Sequence, residues 1–245
     1  MSLTSKVALV TGGSRGIGAA IAQRLAADGA DIAITYNSSP QRAAAVVDAI
    51  TESGSKAVAL QVDSAAPDAA RRAVDAVIAT FGRLDILVNN AGVYPTGPLD
   101  EISPDDIDQA IALHVRAPLL FSQAAAAVMG EGGRIITIGS TLADRTPAPG
   151  ITLYSATKAA AAGMTRGLAR DLGPRGITAN VVHPGNTDTE MNPADSSDAA
   201  AELPNIPLGR YGQASEIAAA VAYLAGPDAG YVNGTTLTVD GGVNA

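Results

Sequence analysis

The chain has 245 residues, 47% of them hydrophobic and 16% charged, with a net charge of −8 and no cysteine. That length and apolar content can bury a full core and exclude a disordered chain. The acidic balance argues against nucleic acid and against anionic membrane surfaces, both of which are held by clustered Lys and Arg, and without cysteine there is neither a disulfide nor a thiolate metal site.

Residues 1–13, "MSLTSKVALVTGG", run straight into a strand and lack the charged-then-apolar layout of a secretory signal. Cytoplasm is therefore the expected location. Apolar runs at 6–11, 31–36, 56–62, 84–90, 133–140, 176–185 and 235–242 read as strands, and their nearly continuous hydrophobicity suits strands covered on both faces. Longer Ala-rich stretches between them, at 17–28, 40–53, 67–81, 104–129, 154–172 and 213–225, read as helices. Strands alternating with helices predict one α/β domain over residues 1–245, a Rossmann-type doubly wound sheet of seven parallel strands. No apolar run is expected to reach membrane-spanning length, since Gly, Pro or charge interrupts each one. Residues 186–212, rich in Pro, Asp and Ser, follow the carboxyl end of a strand, where such sheets bind ligands. They are expected to form an irregular substrate lid.

"VALVTGGSRGIGAAIAQRLAADGA" places Gly12, Gly16 and Gly18 between the first strand and the first helix. Glycine permits a tight turn and close backbone approach, and a helix N-terminus offers free N–H groups to a pyrophosphate. A glycine triplet alone is often only a turn, but the strand–turn–helix context is the one nucleotide binding needs. The second strand runs into Asn37 and Ser38 with no acid to grip a ribose 2′-hydroxyl. With Arg15 inside the loop, this pattern favours the 2′-phosphate of NADP(H) over NAD(H), unless Arg15 simply faces solvent. Asp63, ending "LQVD", either accepts a hydrogen bond from an adenine amino group or caps a helix. No metal-ligand spacing occurs, and His183, in "VVHPG", has no evident partner.

In "LYSATKAA", Tyr154 and Lys158 share one helix face at i and i+4. A nearby ammonium is expected to lower the phenol pKa from about 10, making Tyr154 a usable proton donor and acceptor. Ser140, closing "ITIGS", can hydrogen-bond a substrate oxygen. Such a Tyr/Lys pair is common on helices, and its weight comes from its company.

Taken together, "TGGSRGIG" (11–18), "NNAG" (89–92), Ser140 with "YSATK", "NVVHPGNTDT" (180–189) and "VDGG" (239–242) resemble the short-chain dehydrogenases/reductases over essentially the whole chain. The style is similar to that of the NADP(H)-preferring 3-oxoacyl-carrier-protein reductases. The resemblance implies hydride transfer between a nicotinamide cofactor and a carbonyl or alcohol carbon. It makes Tyr154 the general acid/base and gives Ser140 the substrate oxygen. Lys158 would hold the nicotinamide ribose and tune Tyr154. The cofactor would rest on Gly12, Ser14, Arg15, Gly16, Ile17 and Gly18. Asn89 would line the adenosine ribose side and help order the central strands, and Ala91 and Gly92 would also bind the cofactor. Pro184, Gly185 and Thr189 would lie beside the nicotinamide, with Thr189 reaching toward its carboxamide or a phosphate, and Thr187 would also bind the cofactor.

Members of that family usually carry Asn where this chain has His114, in "LHVRAP". Three readings stand: the backbone there still holds a water while the ring fills space, the imidazole joins a proton relay, or the relay is lost. The expected pocket, with Tyr94, Leu142, Ala143, Leu153, Asn186 and residues 190–208, is apolar or small and suits a modest, largely uncharged carbonyl compound or alcohol. Carrier-protein reduction ranks second, because Glu131 stands where a docking base is expected, although Arg175 is present. A nucleotide-binding sensor on the same fold is a third reading. Ala-rich helices 104–129 and 154–172 and the last strand predict a homotetramer, with a dimer next.

Overall fold

The computed structural model describes residues 2–245. The strands β1 (Val7–Val10), β2 (Asp31–Tyr36), β3 (Ala57–Gln61), β4 (Ile86–Asn89), β5 (Arg134–Ile138), β6 (Thr178–Pro184) and β9 (Thr236–Val239) form one sheet in the order β3-β2-β1-β4-β5-β6-β9. Every pairing is parallel, as the uninterrupted apolar runs predict. Alternation along each strand feeds two separate cores. Ala8 and Val10 of β1 point with Ile86, Val88, Ile136 and Val182 toward α1 (Gly16–Ala27) and α8 (Ala214–Ala225). Val7 and Leu9 point with Leu87, Ile135 and Ala179 toward α3 (Ala69–Phe81) and α5 (Ala117–Val128), where Phe121 is fully buried. From β1 the chain winds through α2 (Pro40–Glu52) to β3 on one side, then crosses to β4 on the other. That reversal opens a crevice above the carboxyl ends of β1 and β4.

Two elements differ from expectation. The run 104–129 is not a uniform α-helix. It consists of α4 (Pro104–Ile111), a wider π turn (Ala112–Arg116) in which the Ala117 N–H donates to the Ala112 carbonyl, and then α5. Pro118 lacks the N–H that an α-helix would aim at the His114 carbonyl, so the regular ladder is broken at that point. This continuous run, Pro104–Val128, is also 25 residues long and apolar enough to cross a membrane by length and composition, contrary to the expectation that no run approaches that length. Here it packs against α3, β4 and α6 (Thr152–Leu172).

The second difference is residues 186–212, which are more ordered than expected. β7 (Thr187–Asp188) pairs in parallel with β8 (Gly212–Gln213), and α7 (Ser197–Glu202) lies between them. Ser196 caps α7 by accepting the Ala199 N–H. Ile206 and Tyr211 close a small core of their own with Ala199.

Candidate active site

The β1–α1 turn is shaped by close packing. Gly12 and Gly16 have φ of +64° and +52°, and a Cβ on Gly18 would lie 2.4 Å from both the Gly12 carbonyl and Asn90 Nδ2. Asn90 Nδ2 donates to the carbonyls of Thr11 (2.9 Å) and Gly12 (3.1 Å), and Thr11 Oγ1 accepts the N–H groups of Asn90 and Ala91. Arg15 occupies the N-cap of α1 and makes no side-chain cap, which leaves the first N–H groups of the helix free for an anion.

A cavity of about 1150 Å³ runs from this turn across the carboxyl ends of the strands. Its first half is walled by Gly12, Ser14, Arg15, Gly16, Ile17 and Gly18, by Asn37 and Ser38, and by Asp63, Ala91 and Gly92. Asp63 Oδ1 accepts the Ala65 N–H, ahead of a helix that begins only at Ala69, so it braces a turn and does not cap α3. Pro184, Gly185, Thr187 and Thr189 line the middle. Asn89 is not on the wall: it is buried and donates through Nδ2 to Ser122 Oγ (3.2 Å), joining β4 to α5. The neighbouring Asn90 faces the cavity and holds the turn. A glycine turn with left-handed backbone at Gly12 and Gly16 and no room for a Cβ at Gly18, an uncapped helix N-terminus and Arg15 suit an elongated, phosphate-bearing dinucleotide.

At the other end stand Ser140, Tyr154 and Lys158. Ser140 follows β5 and accepts the Leu142 N–H at 3.1 Å. That bond occupies a lone pair and leaves the hydroxyl hydrogen to donate, to the Tyr154 oxygen or to a substrate oxygen. Tyr154 and Lys158 project from α6, with the Lys158 ammonium 5.7 Å from the Tyr154 ring centre. Lys158 is buried and donates from Nζ to the Ile138 carbonyl (3.0 Å), which anchors α6 to the end of β5. Burial lowers its pKa from 10.5 to about 8. Burial likewise pushes Tyr154 up to about 12, against a smaller opposing effect of the Ser140 hydrogen bond. The expected lowering of Tyr154 by Lys158 is therefore not found in the protein alone. The ammonium is directed at the Ile138 carbonyl, and loss of water dominates at both groups.

His114 lies behind this wall, in the π turn. Its Nε2 accepts the Val93 N–H (3.1 Å), so its hydrogen sits on Nδ1 and is donated to Thr157 Oγ1 (2.9 Å). Thr157 in turn donates to the α6 carbonyls of Leu153 and Tyr154. The ring meets Tyr154 edge-on at 5.8 Å. Burial, reinforced by the charge of Lys158, lowers its pKa from 6.5 to about 3. The imidazole is thus neutral near pH 7, with both nitrogens committed.

A second histidine has a partner that the sequence did not reveal. His183, fully buried on β6, bonds through Nδ1 to Asp144 Oδ2 at 2.9 Å. Asp144 belongs to the turn that follows Ser140. The ring is pressed against Gly139, where a Cβ would come 2.3 Å from His183 Cδ2. Glycine and histidine thus interlock one residue before Ser140. The adjacent glycine, serine and "HP" were visible as sequence, but their cross-strand contact depends on β5 pairing with β6.

A family model described as enoyl-(acyl carrier protein) reductase matches residues 12–244. The chain belongs to the short-chain dehydrogenases/reductases. It is 46% identical over 244 residues to the cyclic-di-GMP-binding biofilm dispersal mediator protein of Escherichia coli K12, covering 100% of this chain and 99% of that one. An uncharacterised oxidoreductase of Methylorubrum extorquens is 44% identical, with 98% of each chain covered. Among solved structures, a short-chain dehydrogenase from Burkholderia cenocepacia J2315 in complex with NADP superposes with a TM-score of 0.98 at 58% identity over the full length of both chains. A blue fluorescent protein from a metagenomic library, in complex with NADPH, gives the same TM-score at 55% identity, again over the full length of both.

Two predictions follow from this short-chain dehydrogenase/reductase site. Because the folded pKa of His114 lies below its ordinary value, the unfolded chain binds a proton that the folded chain refuses. His114 therefore contributes stability in full above pH 6.5 and loses it as pH falls toward 3, by up to about 1.4 kcal/mol per pH unit. Urea unfolding of His114→Asn between pH 6.5 and 4 is expected to show a correspondingly shallower acid slope. Gly139→Ala is expected to destabilise by about 1–3 kcal/mol through overpacking, and His183→Ala added to it should recover most of that loss in thermal melts.

Proposed function

We propose that this short-chain dehydrogenase/reductase transfers hydride between NADP(H) and the carbonyl or alcohol carbon of a small substrate bearing no negative charge. The observation that carries this reading is the shared cavity, with the phosphate cradle and Arg15 at one end and Ser140 and Tyr154 at the other. NADPH, when bound, supplies the hydride. Arg15, Asn37 and Ser38 would take its 2′-phosphate, Gly12 to Gly18 its pyrophosphate, and Lys158 its nicotinamide ribose. The names of two solved relatives, which hold NADP and NADPH, support this choice over NAD(H).

Tyr154 keeps its proton at neutral pH, since burial holds its pKa high. It is the proton donor to the carbonyl oxygen, which Ser140 orients by donating its hydroxyl hydrogen. We assign His114 a positioning role: it ties Val93, beside the cavity, to Thr157 on the turn of α6 that follows Tyr154. Residues 186–212 serve as the substrate lid. The apolar side chains of Ile107, Ile111 and Leu119, exposed along α4 and α5, support subunit pairing and a homotetramer; light scattering that returned a monomer would refute it. Cytoplasm is the location we propose.

Carrier-protein reduction is less well supported. Arg175, the base left for docking, spends its guanidinium on the carbonyls of Ala126 (2.6 Å) and Met129 (2.9 Å) at the end of α5. A nucleotide-sensing role is favoured by one observation, the name of the E. coli relative, which describes cyclic-di-GMP binding. Tyr154→Phe separates these readings. For an oxidoreductase, carbonyl reduction is expected to fall by about 10²–10⁴-fold, with a far smaller change in NADPH affinity measured by cofactor fluorescence. Bound cyclic-di-GMP with no turnover of any carbonyl in a substrate panel would favour the sensor.

A further inference from the structure

The substrate end of the cavity has an unusual charge pattern. The Tyr94 and Tyr154 rings meet edge to face with centres 4.7 Å apart. Tyr211, buried at the base of the 186–212 segment, reaches the same wall, which Asn186 and Asn192 also line. Glu202 and, one turn earlier on α7, Asp198 line the same cavity as the three phenols, and Tyr211 packs against their neighbours Leu203 and Ala199; burial first, and then the charge of Glu202, raises the pKa of Tyr94. Among the described residues neither carboxylate has a Lys, Arg or His within ion-pair distance. Among the described residues, the basic side chains on the cavity wall are Arg15, at the distant phosphate turn, and Lys158, turned toward the Ile138 carbonyl.

Taken with the proposed carbonyl chemistry, on which this step rests, the geometry points to a carbonyl substrate carrying a positively charged nitrogen a few atoms from the reacting carbon, with Glu202 as its specificity-determining residue. Phenol rings attract an organic cation through their negative faces. A half-buried carboxylate without a partner gains most from a cation that also enters the partly dry cavity. The same two carboxylates repel a phosphate or carboxylate group on the substrate, which fits the poor case for an acidic carrier. A quaternary or protonated amino ketone of otherwise apolar character matches all three features.

The test uses two ketones of equal shape, 2-(trimethylammonio)acetophenone and its uncharged tert-butyl counterpart, with calorimetric titration of benzyltrimethylammonium into the NADPH-loaded protein as a readout that needs no turnover. The cationic ketone is expected to show at least tenfold higher kcat/KM than the neutral one. Glu202→Gln should shrink that ratio at least fivefold and weaken benzyltrimethylammonium binding in parallel, with a smaller effect from Asp198→Asn. Equal or better turnover of the neutral ketone, or ammonium binding indifferent to both variants, overturns the inference while leaving the oxidoreductase reading intact. Ammonium binding that depends on Glu202, with neither ketone reduced under any condition, would uphold the cation site and count against the proposed reaction.

Discussion

The buried ammonium of Lys158 is the contact on which the site depends. It crosses from α6 to the Ile138 carbonyl at the last residue of β5, and so fixes the helix carrying Tyr154 against the strand that delivers Ser140. The contact is held at a cost. A pKa lowered from 10.5 to about 8 corresponds to about 3 kcal/mol of disfavoured charge near neutral pH. The folded protein gives up this proton more readily than the unfolded chain, so this burden eases as pH rises through 8 toward 10.5. A positive charge kept in so dry a place is a sign of function more than of stability. An apolar side chain of similar length would pack more cheaply and leave nothing to meet a ribose or a phenol.

The polar groups behind the wall serve the same end. His114 bridges Val93 and Thr157, and Thr157 passes the bond on to the carbonyls of α6. Asp144 and His183 brace the turn after Ser140 from the far side. Each of these side chains touches a segment next to Ser140 or Tyr154 without lining the cavity. Ser140 sits on a short turn at the end of β5 and Tyr154 on the first turn of α6, and both segments are held by side-chain bonds from residues outside the cavity.

Much of this architecture could be read from the sequence because it rests on local signals. Seven apolar runs became seven parallel strands, and the glycine spacing became a turn with no room for a Cβ. What stayed hidden arises from pairings distant in sequence. Asn89 and Asn90 are indistinguishable in "NNAG", and only the pleat decides which faces Ser122 and which faces the cavity. The π turn did leave a local trace: Pro118, four residues after His114, removes the very N–H that a continuous helix would need. The order within 186–212 escaped notice because its strands are two residues long and pair across more than twenty positions. The raised pKa of Tyr154 beside Lys158 is hidden from the sequence for another reason. Residue spacing says that two groups are near, but only the packing says how little water remains around them.

The interlock of Gly139 with His183 constrains how this protein can change over generations. Neither position can drift alone: any side chain at 139 collides with the imidazole, and shrinking the imidazole opens a hollow beneath the loop that carries Ser140. The two sites are separated by more than forty residues yet behave as one heritable character. A lineage leaving this arrangement must pass through a less stable intermediate, which would make the pair a durable marker of descent.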